Sequence, residues 1–511
     1  MTDWTSGYVA DVGYTFGYYP ELNPLRVRLA FLYSGLVFPE AGTACELGFG
    51  QGVSVNLHAA ASTSSWFATD FNPAQAGFAQ ELTEASGAGV RLFDQSFAEF
   101  CTRSDLPDFD YIGLHGIWSW ISDDNRRVIV DFVRRKLKVG GVLYISYNTQ
   151  PGWAAMVPLR DLLAGHGDIM GSSGQGIIFR IDAAIDFAEK LLATNPAYSR
   201  ANPQAAERLK ALKGQDRNYL AHEYFNRDWF PMSFATMAQW LESAKLDFAG
   251  SANFLDHIPV INLTNEQQAF LKEIPDALFR ETVRDFMVNQ QFRKDYWVKG
   301  ARRFNPLEQA EGLRKQKVML VQPRSGVSLK VKAALGEATM QDAIYNPILD
   351  LLADHHPKTL GQIEQAMKDK GIVFAQIKEA ALLLSGTGVL NPVQDDASIS
   401  KARKYTDKLN AYLMNKSRDS NDINYLASPV TGGGHIVTRF QQLFLMARSQ
   451  GKKQSGEWAR FVWELLQTQG QKILKDGKTL ETPEENLAEL MEQAQSFADK
   501  QLQILKALGV V

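Results

Sequence analysis

A run of glycines between two acidic residues is the clearest sign of chemistry in this sequence. Glu46 is followed by Gly48, Gly50 and Gly52, and Asp70 lies 22 residues after Gly48. Glycines let the chain turn tightly from a strand into a helix and let a ligand approach the backbone closely. An acid at the end of the next strand is placed to bond a ribose hydroxyl. The spacing therefore predicts an adenosine-containing ligand at this turn.

The glycine spacing also distinguishes between two kinds of adenosine ligand. A dinucleotide site requires G-x-G-x-x-G, whereas this sequence has G-x-G-x-G directly after Glu46-Leu47. A carboxylate at that position repels a pyrophosphate but attracts the free ammonium group of S-adenosyl-L-methionine. We therefore favour S-adenosyl-L-methionine as the cofactor. A dinucleotide or a purely structural turn are the alternatives.

A third acid follows the third predicted strand. Asp94, Gln95 and Ser96 occupy a corner that lies over the adenine in sheets of this kind, so Asp94 could accept a hydrogen bond from the adenine amino group. An isolated Asp after a strand is more often a solvated turn residue. Because Glu46 and Asp70 lie in register with it, we favour a ligand contact.

The fourth and fifth predicted strands end in polar and aromatic residues. His115 follows the fourth strand in a glycine-containing loop, and Tyr147 and Asn148 end the fifth. These positions border the methyl group of the expected cofactor. We predict that they orient an acceptor amine or relay its proton. A structural His and a loop that only locks neighbouring elements are the alternatives.

Five further residues form the predicted substrate site. Trp118, Trp120 and Trp153 lie near the same edge and could form a slot or face a cation. His222 and Glu223, further along the chain, could reach this edge from another domain. Core packing is the alternative for the tryptophans, and a buried polar bridge is the alternative for the His222-Glu223 pair.

The elements that must position these residues follow from the first third of the chain. Short apolar runs alternate there with helical patterns, which is typical of a parallel sheet with crossover helices. We therefore predict a Rossmann-like, doubly wound α/β domain. The predicted strands are Thr43–Leu47, Trp66–Asp70, Val90–Phe93, Asp110–Leu114 and Val142–Tyr147. The predicted helices are Pro24–Leu36, Val53–Ala61, Ala74–Ser86 and Asn125–Leu137.

Beyond residue 153 the alternation stops. We predict a helical insertion over residues 154–221, and then the helix Phe234–Lys245. The strand Leu246–Phe254 follows, with Val260–Leu263 as its partner strand. The insertion would therefore separate the fifth strand from the last strands of one sheet.

The remainder of the chain is predicted to be mostly helical, including the charged segment Asp276–Arg303. Leu329–Val331 is a candidate short strand, and Tyr345–Val393 suggests three helices followed by a Gly-containing hairpin. That order is typical of a winged-helix-like unit. The predicted domains are 1–153 with 222–265 (Rossmann-like α/β), 154–221 (helical insertion), 266–395 (helical and winged-helix-like) and 396–511 (helical).

Composition restricts the partners and the compartment. The 511 residues carry 54 basic and 57 acidic side chains, a net charge of -3, so no overall positive field attracts nucleic acid. Two cysteines, Cys45 and Cys101, are too few for a disulfide framework or a four-thiolate metal site, and no metal is predicted. No apolar run reaches the roughly 18 residues needed to span a bilayer. We therefore expect a soluble, cytoplasmic protein.

Taken together, these motifs resemble bacterial class I S-adenosylmethionine-dependent methyltransferases that carry a methyltransferase regulatory domain. The protein lysine methyltransferases of rickettsiae, which act on outer membrane proteins, are the characterised type. The resemblance covers most of the chain. The motifs that carry it are Glu46–Gly52, His115–Trp120 and Ser146–Trp153, supported by Tyr18–Pro24, Ala221–Asn226 and Ala427–Val430. Two departures are Phe49, where the family has a small residue or Cys, and Gln150, where an aromatic residue is common.

The resemblance implies a Rossmann-like catalytic domain, a middle helical domain and a winged-helix-like C-terminal region. It also implies S-adenosyl-L-methionine as the cofactor and a protein as the substrate, and it leaves a homodimer open. Motifs and resemblance together predict cofactor contacts at Glu46, Gly48, Gly50, Gly52, Asp70, Phe71, Asp94, Gln95, Ser96 and His115.

The function expected from these observations is methyl transfer to protein lysine side chains. The rival functions are methyl transfer to a small molecule or a surface glycan, a non-catalytic module that binds S-adenosyl-L-methionine, and a DNA-binding regulator. The near-neutral charge disfavours the regulator. The intact Glu46, Asp70 and glycine turn argue against the non-catalytic module.

Overall fold

A seven-stranded sheet forms the centre of the N-terminal half. The computed structural model describes residues 5, 7–10, 12–40, 42–171, 174 and 176–511. The strand order is β3-β2-β1-β4-β5-β7-β6. Its strands are β1 (Thr43–Leu47), β2 (Ser65–Asp70), β3 (Arg91–Asp94), β4 (Phe109–Leu114), β5 (Leu137–Asn148), β6 (Leu246–Ser251) and β7 (Phe292–Lys299). The first five are parallel, and β7 is antiparallel to both β5 and β6. This confirms the predicted doubly wound α/β fold.

Helices cover both faces of the sheet because successive strand residues point to opposite sides. Ala44, Trp66 and Tyr144 pack into one core, whereas Cys45 and Leu143 pack into another. The helices of the sheet domain are α1 (Pro24–Ser34), α2 (Val53–Ala61), α3 (Pro73–Ser86), α4 (Phe97–Cys101), α5 (Asp123–Lys136) and α11 (Phe234–Glu242). The first three contribute to the first core and the last three to the second, which gives the three-layer arrangement.

One predicted strand is wrong. Val260–Leu263 was expected to pair with β6, but the structure has a short helix there, α12 (Pro259–Asn262). The true partner is β7, which lies inside the segment predicted as helical and beyond residue 265, where the sheet domain was expected to end. This strand was not predicted because it contains Arg293 and Asp295, and charged residues rarely occupy a buried strand.

Those two residues are buried because Arg293 pairs with Asp295 and also with two neighbouring acids. The Arg293 guanidinium donates to Asp295 Oδ2 at 2.9 Å and to Asp285 Oδ1 at 2.6 Å. It also reaches Glu281 Oε2 at 3.0 Å. Asp285 lies on α14 (Ala277–Met287), which follows α13 (Asn265–Lys272). The network therefore fixes α14 to β7.

Between β5 and α11 the chain forms a separate helical bundle, as the sequence predicted for residues 154–221. Trp153, Leu163 and Ile181 belong to a core of its own. Its helices are α6 (Val157–Ile169), α7 (Ile177–Ala193), α8 (Ala197–Ala201), α9 (Pro203–Leu212) and α10 (Arg217–Tyr224). The last of them leads the chain back towards the sheet.

The middle region differs from the predicted winged-helix order. Its elements are α15 (Pro306–Lys315), β8 (Lys317–Leu320), β9 (Lys330–Ala333), β10 (Gly336–Thr339), α16 (Asp342–Leu351), β11 (Lys358–Thr359), α17 (Leu360–Met367), α18 (Phe374–Gly386) and β12 (Leu390–Pro392). No hairpin follows α18 within the described residues. Instead, β12 pairs with β8, and the hairpin β9–β10 precedes the three helices. Gly388, at a φ of 76°, turns the chain back towards β8.

The C-terminal helices pack directly on the sheet domain. Val53 of α2 and Leu82 of α3 share a core with this region. Its elements are α19 (Asp396–Lys416), β13 (Tyr425–Ser428), β14 (Gly433–Ile436), α20 (Arg439–Ser449), α21 (Ser455–Thr468), β15 (Leu474–Lys475), β16 (Lys478–Thr479), α22 (Pro483–Lys500) and α23 (Leu502–Ala507). Among the helices of the described residues, none has both the length and the apolar character needed to cross a membrane.

The buried network around Arg293 gives a stability test. Replacing Arg293 with Met should destabilise the fold by about 3–5 kcal/mol, because Asp285 and Asp295 would keep buried charges without a cation. Urea unfolding followed by tryptophan fluorescence measures the loss. The matched control is Arg134→Met, whose ion pair with Asp131 is half-exposed and should contribute less than about 1 kcal/mol. Equal losses for the two variants would contradict the proposed importance of the network.

Candidate active site

The predicted glycine turn is present between β1 and α2. Gly48, Gly50 and Gly52 have φ values of 77°, 57° and 71°, a region that favours glycine. Space is also limited at two of them. A Cβ on Gly48 would lie 2.4 Å from Ile117 Cδ1, and one on Gly52 would lie 2.3 Å from the Cβ of Ala79. The sequence therefore needs glycine here both for the turn and for close packing.

Two of the three predicted acids flank this turn. Asp70 accepts hydrogen bonds from the N–H of Gly50 at 2.8 Å and from the N–H of Asn72 at 3.0 Å. Burial nevertheless raises the pKa of Asp70 to about 6. Burial, reinforced by the negative charge of Asp70, raises the pKa of Glu46 to about 8. Glu46 Oε2 is buried with no hydrogen-bond partner within the described residues.

A cavity of about 250 Å³ opens at this edge of the sheet. The carboxyl ends of β1, β2 and β4 form its floor, and a segment of the N-terminus covers it. Its acidic lining residues are Glu46, Asp70 and Asp228, and the described residues that line it include no Lys or Arg. The other predicted cofactor residues in the lining are Gly48, Gly50, Gly52, Phe71, Gln95, Ser96 and His115. Such a cavity suits a ligand with positive charge.

Asp94, the third predicted acid, does not belong to the cavity lining. Its backbone lies beside Asp70 in the pairing of β2 with β3, but its side chain is exposed. Ser96 lines the cavity, yet its hydroxyl accepts a hydrogen bond from the Glu99 N–H and so caps α4. Its N–H and hydroxyl both donate to the Glu99 carboxylate, and its carbonyl accepts from the Phe100 N–H, so the polar groups of Ser96 serve to cap α4.

His115 lies at the floor of the cavity between two tyrosines. Its ring stacks on Tyr19 with a centroid distance of 3.8 Å, and its Nδ1 lies 2.7 Å from the Tyr144 hydroxyl. Burial lowers the pKa of His115 to about 3, so the ring is neutral at physiological pH. A neutral imidazole held on both sides can orient a ligand without adding charge.

Three tyrosines of the N-terminal segment belong to the site but were not predicted as site residues. Tyr8, Tyr14 and Tyr19 line the cavity, and the hydroxyls of Tyr14 and Tyr19 are hydrogen-bonded to each other. The segment that carries them is irregular, so no hydrophobic period marks it. The only signal available was the density of Tyr and Gly before Pro20.

The inserted helix α10 holds that segment in place. His222 Nε2 lies 3.1 Å from the Val12 carbonyl, and Asn226 Oδ1 accepts from the Val9 N–H at 2.8 Å. Between them, Glu223 Oε1 accepts from the Tyr14 hydroxyl at 3.4 Å. Burial raises the pKa of Glu223 to about 7. The structure therefore places Glu223 behind Tyr14, outside the cavity lining, and His222 acts as a support for the segment.

Four further predicted residues lie outside the cavity lining, in addition to Asp94, His222 and Glu223. Tyr147 donates to Asp295 Oδ2 at 2.8 Å because odd-numbered residues of β5 face the second core. Asn148 is buried at the end of the same strand, and its Nδ2 has no partner within the described residues. Trp118 is buried with its Nε1 donating to Met232 Sδ, and Trp153 packs against Trp229 in the helical bundle.

Trp120 is the one predicted tryptophan that lines the cavity. Its Nε1 donates to the carbonyl oxygen of Glu223 at 3.4 Å. The ring therefore connects the loop after β4 to the end of α10. Trp120 is therefore the predicted substrate residue that lines the cavity, and Glu223 adjoins the lining through Trp120 and Tyr14.

Comparison with known proteins agrees with this arrangement. Residues 216–299 match the family model described as "Predicted methyltransferase regulatory domain". Over 512 residues the chain is 42% identical to protein sll1526 of Synechocystis sp., with 99% of both chains covered. It is 27% identical over 289 residues to protein RP789 of Rickettsia prowazekii, which covers 54% of this chain and 49% of that protein.

Solved structures of PKMT2 from Rickettsia typhi share the fold over nearly the whole chain. PKMT2 from Rickettsia typhi, solved in complex with AdoHcy, superposes with a TM-score of 0.69 at 17% sequence identity. The match covers 95% of this chain and 98% of that chain. The chain therefore belongs to one family with the Synechocystis protein, and it joins the class I S-adenosylmethionine-dependent methyltransferase fold to a methyltransferase regulatory domain.

Proposed function

We propose that this protein transfers the methyl group of S-adenosyl-L-methionine to the side-chain amine of a protein lysine. The observation that carries the proposal is the acidic cavity at the carboxyl ends of β1, β2 and β4, whose described lining residues include no Lys or Arg. Both reactants carry positive charge, on the sulfonium and ammonium groups of the donor and on the ammonium of lysine. Acidic walls favour both of them.

The residues present fit the methyl donor. Glu46 Oε2 is buried without a partner, and an ammonium group would satisfy it. Asp70, held by the N–H groups of Gly50 and Asn72, is placed to accept from ribose hydroxyls. Gly48 and Gly50 leave their backbone open to a ligand. The bound donor supplies a methyl group already activated by its sulfonium, so the chain has mainly to position the reactants.

The acceptor amine must lose a proton before it can react. For a lysine of pKa near 10.4, this costs about 4–5 kcal/mol at pH 7. Two features of the cavity reduce that cost: burial disfavours the ammonium, and a neighbouring sulfonium repels it. Glu223 is the final proton acceptor, reached through the Tyr14 hydroxyl, which donates its proton to Glu223 Oε1 and takes one from the amine. Burial raises the pKa of Glu223 to about 7.

The neutral amine is then held against the donor by the aromatic residues. Tyr14, Tyr19 and His115 line the end of the cavity next to Glu223 and exclude water from it. The nitrogen lone pair forms the new C–N bond as the C–S bond breaks, and the bonding electrons go to sulfur. His115 and Tyr19 position the amine, while Glu223 keeps the proton until the product leaves.

A protein acceptor is supported by family resemblance and by the size of the surrounding surface. The helical bundle, the middle region and the C-terminal helices all pack around the sheet domain, which leaves broad walls for a macromolecule. A small-molecule or glycan acceptor, and a donor-binding module without activity, are the alternatives that the first experiment separates.

The direct test is incubation with S-adenosyl-L-methionine labelled in its methyl group, together with an extract of the source cells. Mass spectrometry of the labelled species should find methylated lysine in one or a few proteins. A Gly48→Val variant should give no label, because its side chain would collide with Ile117. Label on metabolites or glycans, or equal labelling by the variant, would overturn the proposal.

Asp70→Asn tests the donor site. A charge-assisted hydrogen bond contributes about 1.5–3 kcal/mol to the free energy of binding. Its loss should therefore raise the dissociation constant for S-adenosyl-L-homocysteine about 10- to 100-fold. Isothermal titration calorimetry measures the change. The exposed Asp105, which pairs with Arg103, supplies the control variant Asp105→Asn, which should bind with unchanged affinity. Unchanged affinity for Asp70→Asn would contradict the assignment of its carboxylate.

Glu223→Gln tests proton transfer through the pH profile. With Glu223 present, kcat should rise as pH increases through about 7, because only the ionised carboxylate accepts a proton. The variant should lose this rise, and its kcat should fall roughly 10²- to 10⁴-fold. Its affinity for S-adenosyl-L-homocysteine should stay within twofold of wild type, an approximate bound for a residue outside the donor site.

The matched control is Glu207→Gln, an exposed acid on α9 of the same bundle. Its pH profile should be that of the wild type. A Glu223→Gln variant that keeps the wild-type rise near pH 7 would show that another group takes the proton.

A further inference from the structure

A second cavity, of about 570 Å³, lies where three parts of the chain meet. One wall comes from the N-terminal segment around Tyr18 and Arg26. Another comes from the loop after β8 and the end of α18, including Ser385. The third comes from β14 and the C-terminal helices, including His435. We call this cavity the three-way cleft. A side pocket of about 30 Å³ shares Tyr18 and Arg26 with it.

Arg26 is the unusual residue of the three-way cleft. Within the described residues its guanidinium makes no ion pair within 4.0 Å and no hydrogen bond, and its Nε is buried without a partner. Its only strong contact is with the Phe254 ring, 4.1 Å from the ring centroid. A guanidinium carries five N–H donors in one plane, so a half-buried one without an acceptor is costly unless a ligand supplies oxygens.

The charges around Arg26 leave one positive charge unmatched. Glu21, which also lines the cleft, pairs with Lys294 at 2.7 Å. Burial opposes its ionisation, but Lys294 and Arg26 together lower the pKa of Glu21 to about 2. One carboxylate thus faces two cations. His435 adds no charge because burial lowers its pKa to about 4.

Two hydroxyl groups in the cleft also lack an acceptor. Ser385 Oγ is fully buried with no hydrogen-bond partner within the described residues. The Tyr18 oxygen accepts from the Gly434 N–H, which leaves its own proton free to donate. A buried donor without an acceptor costs about 1–3 kcal/mol, so each group favours a ligand oxygen.

From these observations we propose that the three-way cleft binds a carboxylate group, paired with Arg26 and hydrogen-bonded by Tyr18 and Ser385. The single unmatched positive charge is neutralised by one carboxylate, and a second carboxylate of a diacid can stay in solvent. The planar fork of a guanidinium also matches the two carboxylate oxygens. The carboxylate can belong to a free small acid or to an acidic side chain of a protein.

A ligand in the cleft would contact the same segment that forms the active site. Tyr18 faces the cleft, while the next residue, Tyr19, lines the donor cavity and stacks on His115. The proposal of a carboxylate site does not depend on the proposed transfer reaction, because Arg26 and Ser385 line only the cleft and its side pocket.

Isothermal titration of the full chain with glutarate tests the proposal, and glutaramide serves as the uncharged probe of similar shape. Glutarate should bind saturably and glutaramide should not. Arg26→Gln should weaken glutarate binding by about tenfold or more, the effect expected for one charge-assisted pair. The matched control is Arg28→Gln on the same helix, because Arg28 stacks on Phe38 outside the cleft. Its affinity should equal that of the wild type.

A second pair of probes identifies the source of the carboxylate. An acetylated peptide containing two glutamates is compared with the same peptide containing glutamines. Tighter binding of the acidic peptide than of glutarate indicates a protein ligand, and the reverse indicates a free acid. The proposal is overturned if neither acidic probe binds up to about 20 mM, where even a millimolar complex would be detected. It is equally overturned if Arg26→Gln binds as well as Arg28→Gln.

Two controls keep these outcomes distinct. Affinity for S-adenosyl-L-homocysteine verifies that each variant is folded, because that ligand binds in the other cavity under the proposed function. If Arg26→Gln fails this check, Tyr18→Phe replaces it, since it removes only one hydroxyl and should weaken glutarate binding about three- to tenfold. If methyl transfer is absent but glutarate binding still depends on Arg26, the proposed reaction is refuted and the proposed carboxylate site is supported.

Discussion

Acidic side chains buried in a cavity whose described lining includes no Lys or Arg are the constraint on which this structure depends. Burial raises the pKa of Glu46 to about 8 and that of Asp70 to about 6. An acid whose pKa is higher in the folded than in the unfolded chain makes folding less favourable as pH rises between those values. The buried acids therefore lower the free energy of unfolding near neutral pH, and a cationic ligand would remove this loss of stability. This loss is the physical reason for expecting tight binding of a cation.

Maintaining such a cavity requires support from the whole chain. The N-terminal segment that covers it is held by α10, through His222 and Asn226. The helices that follow the glycine turn and Asp70 pack against the C-terminal helices, through Val53 and Leu82. The insertion and the C-terminal region thus support the elements that line the cavity. This explains why the similarity to the Synechocystis protein extends over the whole length, since the walls and the supports must be retained together.

The sequence predicted the parts of this arrangement that repeat with a regular period or need a special backbone. The parallel strands and the glycine turn were both confirmed. The side chain of Tyr147 was placed at the wrong side of β5, although its two-residue alternation with Ile145 could have placed it in the core. The strand β7 was missed because Arg293 and Asp295 are neutralised only in three dimensions. Tyr8 and Tyr14 were missed because an irregular segment has no period to detect.

The segment from Tyr14 to Glu21 is what joins the two cavities. Tyr14 contacts Glu223 and Tyr19 contacts His115 on one side, while Tyr18 faces the three-way cleft on the other. The carbonyl of Glu21 accepts from the hydroxyls of Tyr111 and Tyr296, which anchors the end of the segment to the sheet. Because both ends are held and adjacent residues face different cavities, this segment forms a wall that the two cavities share.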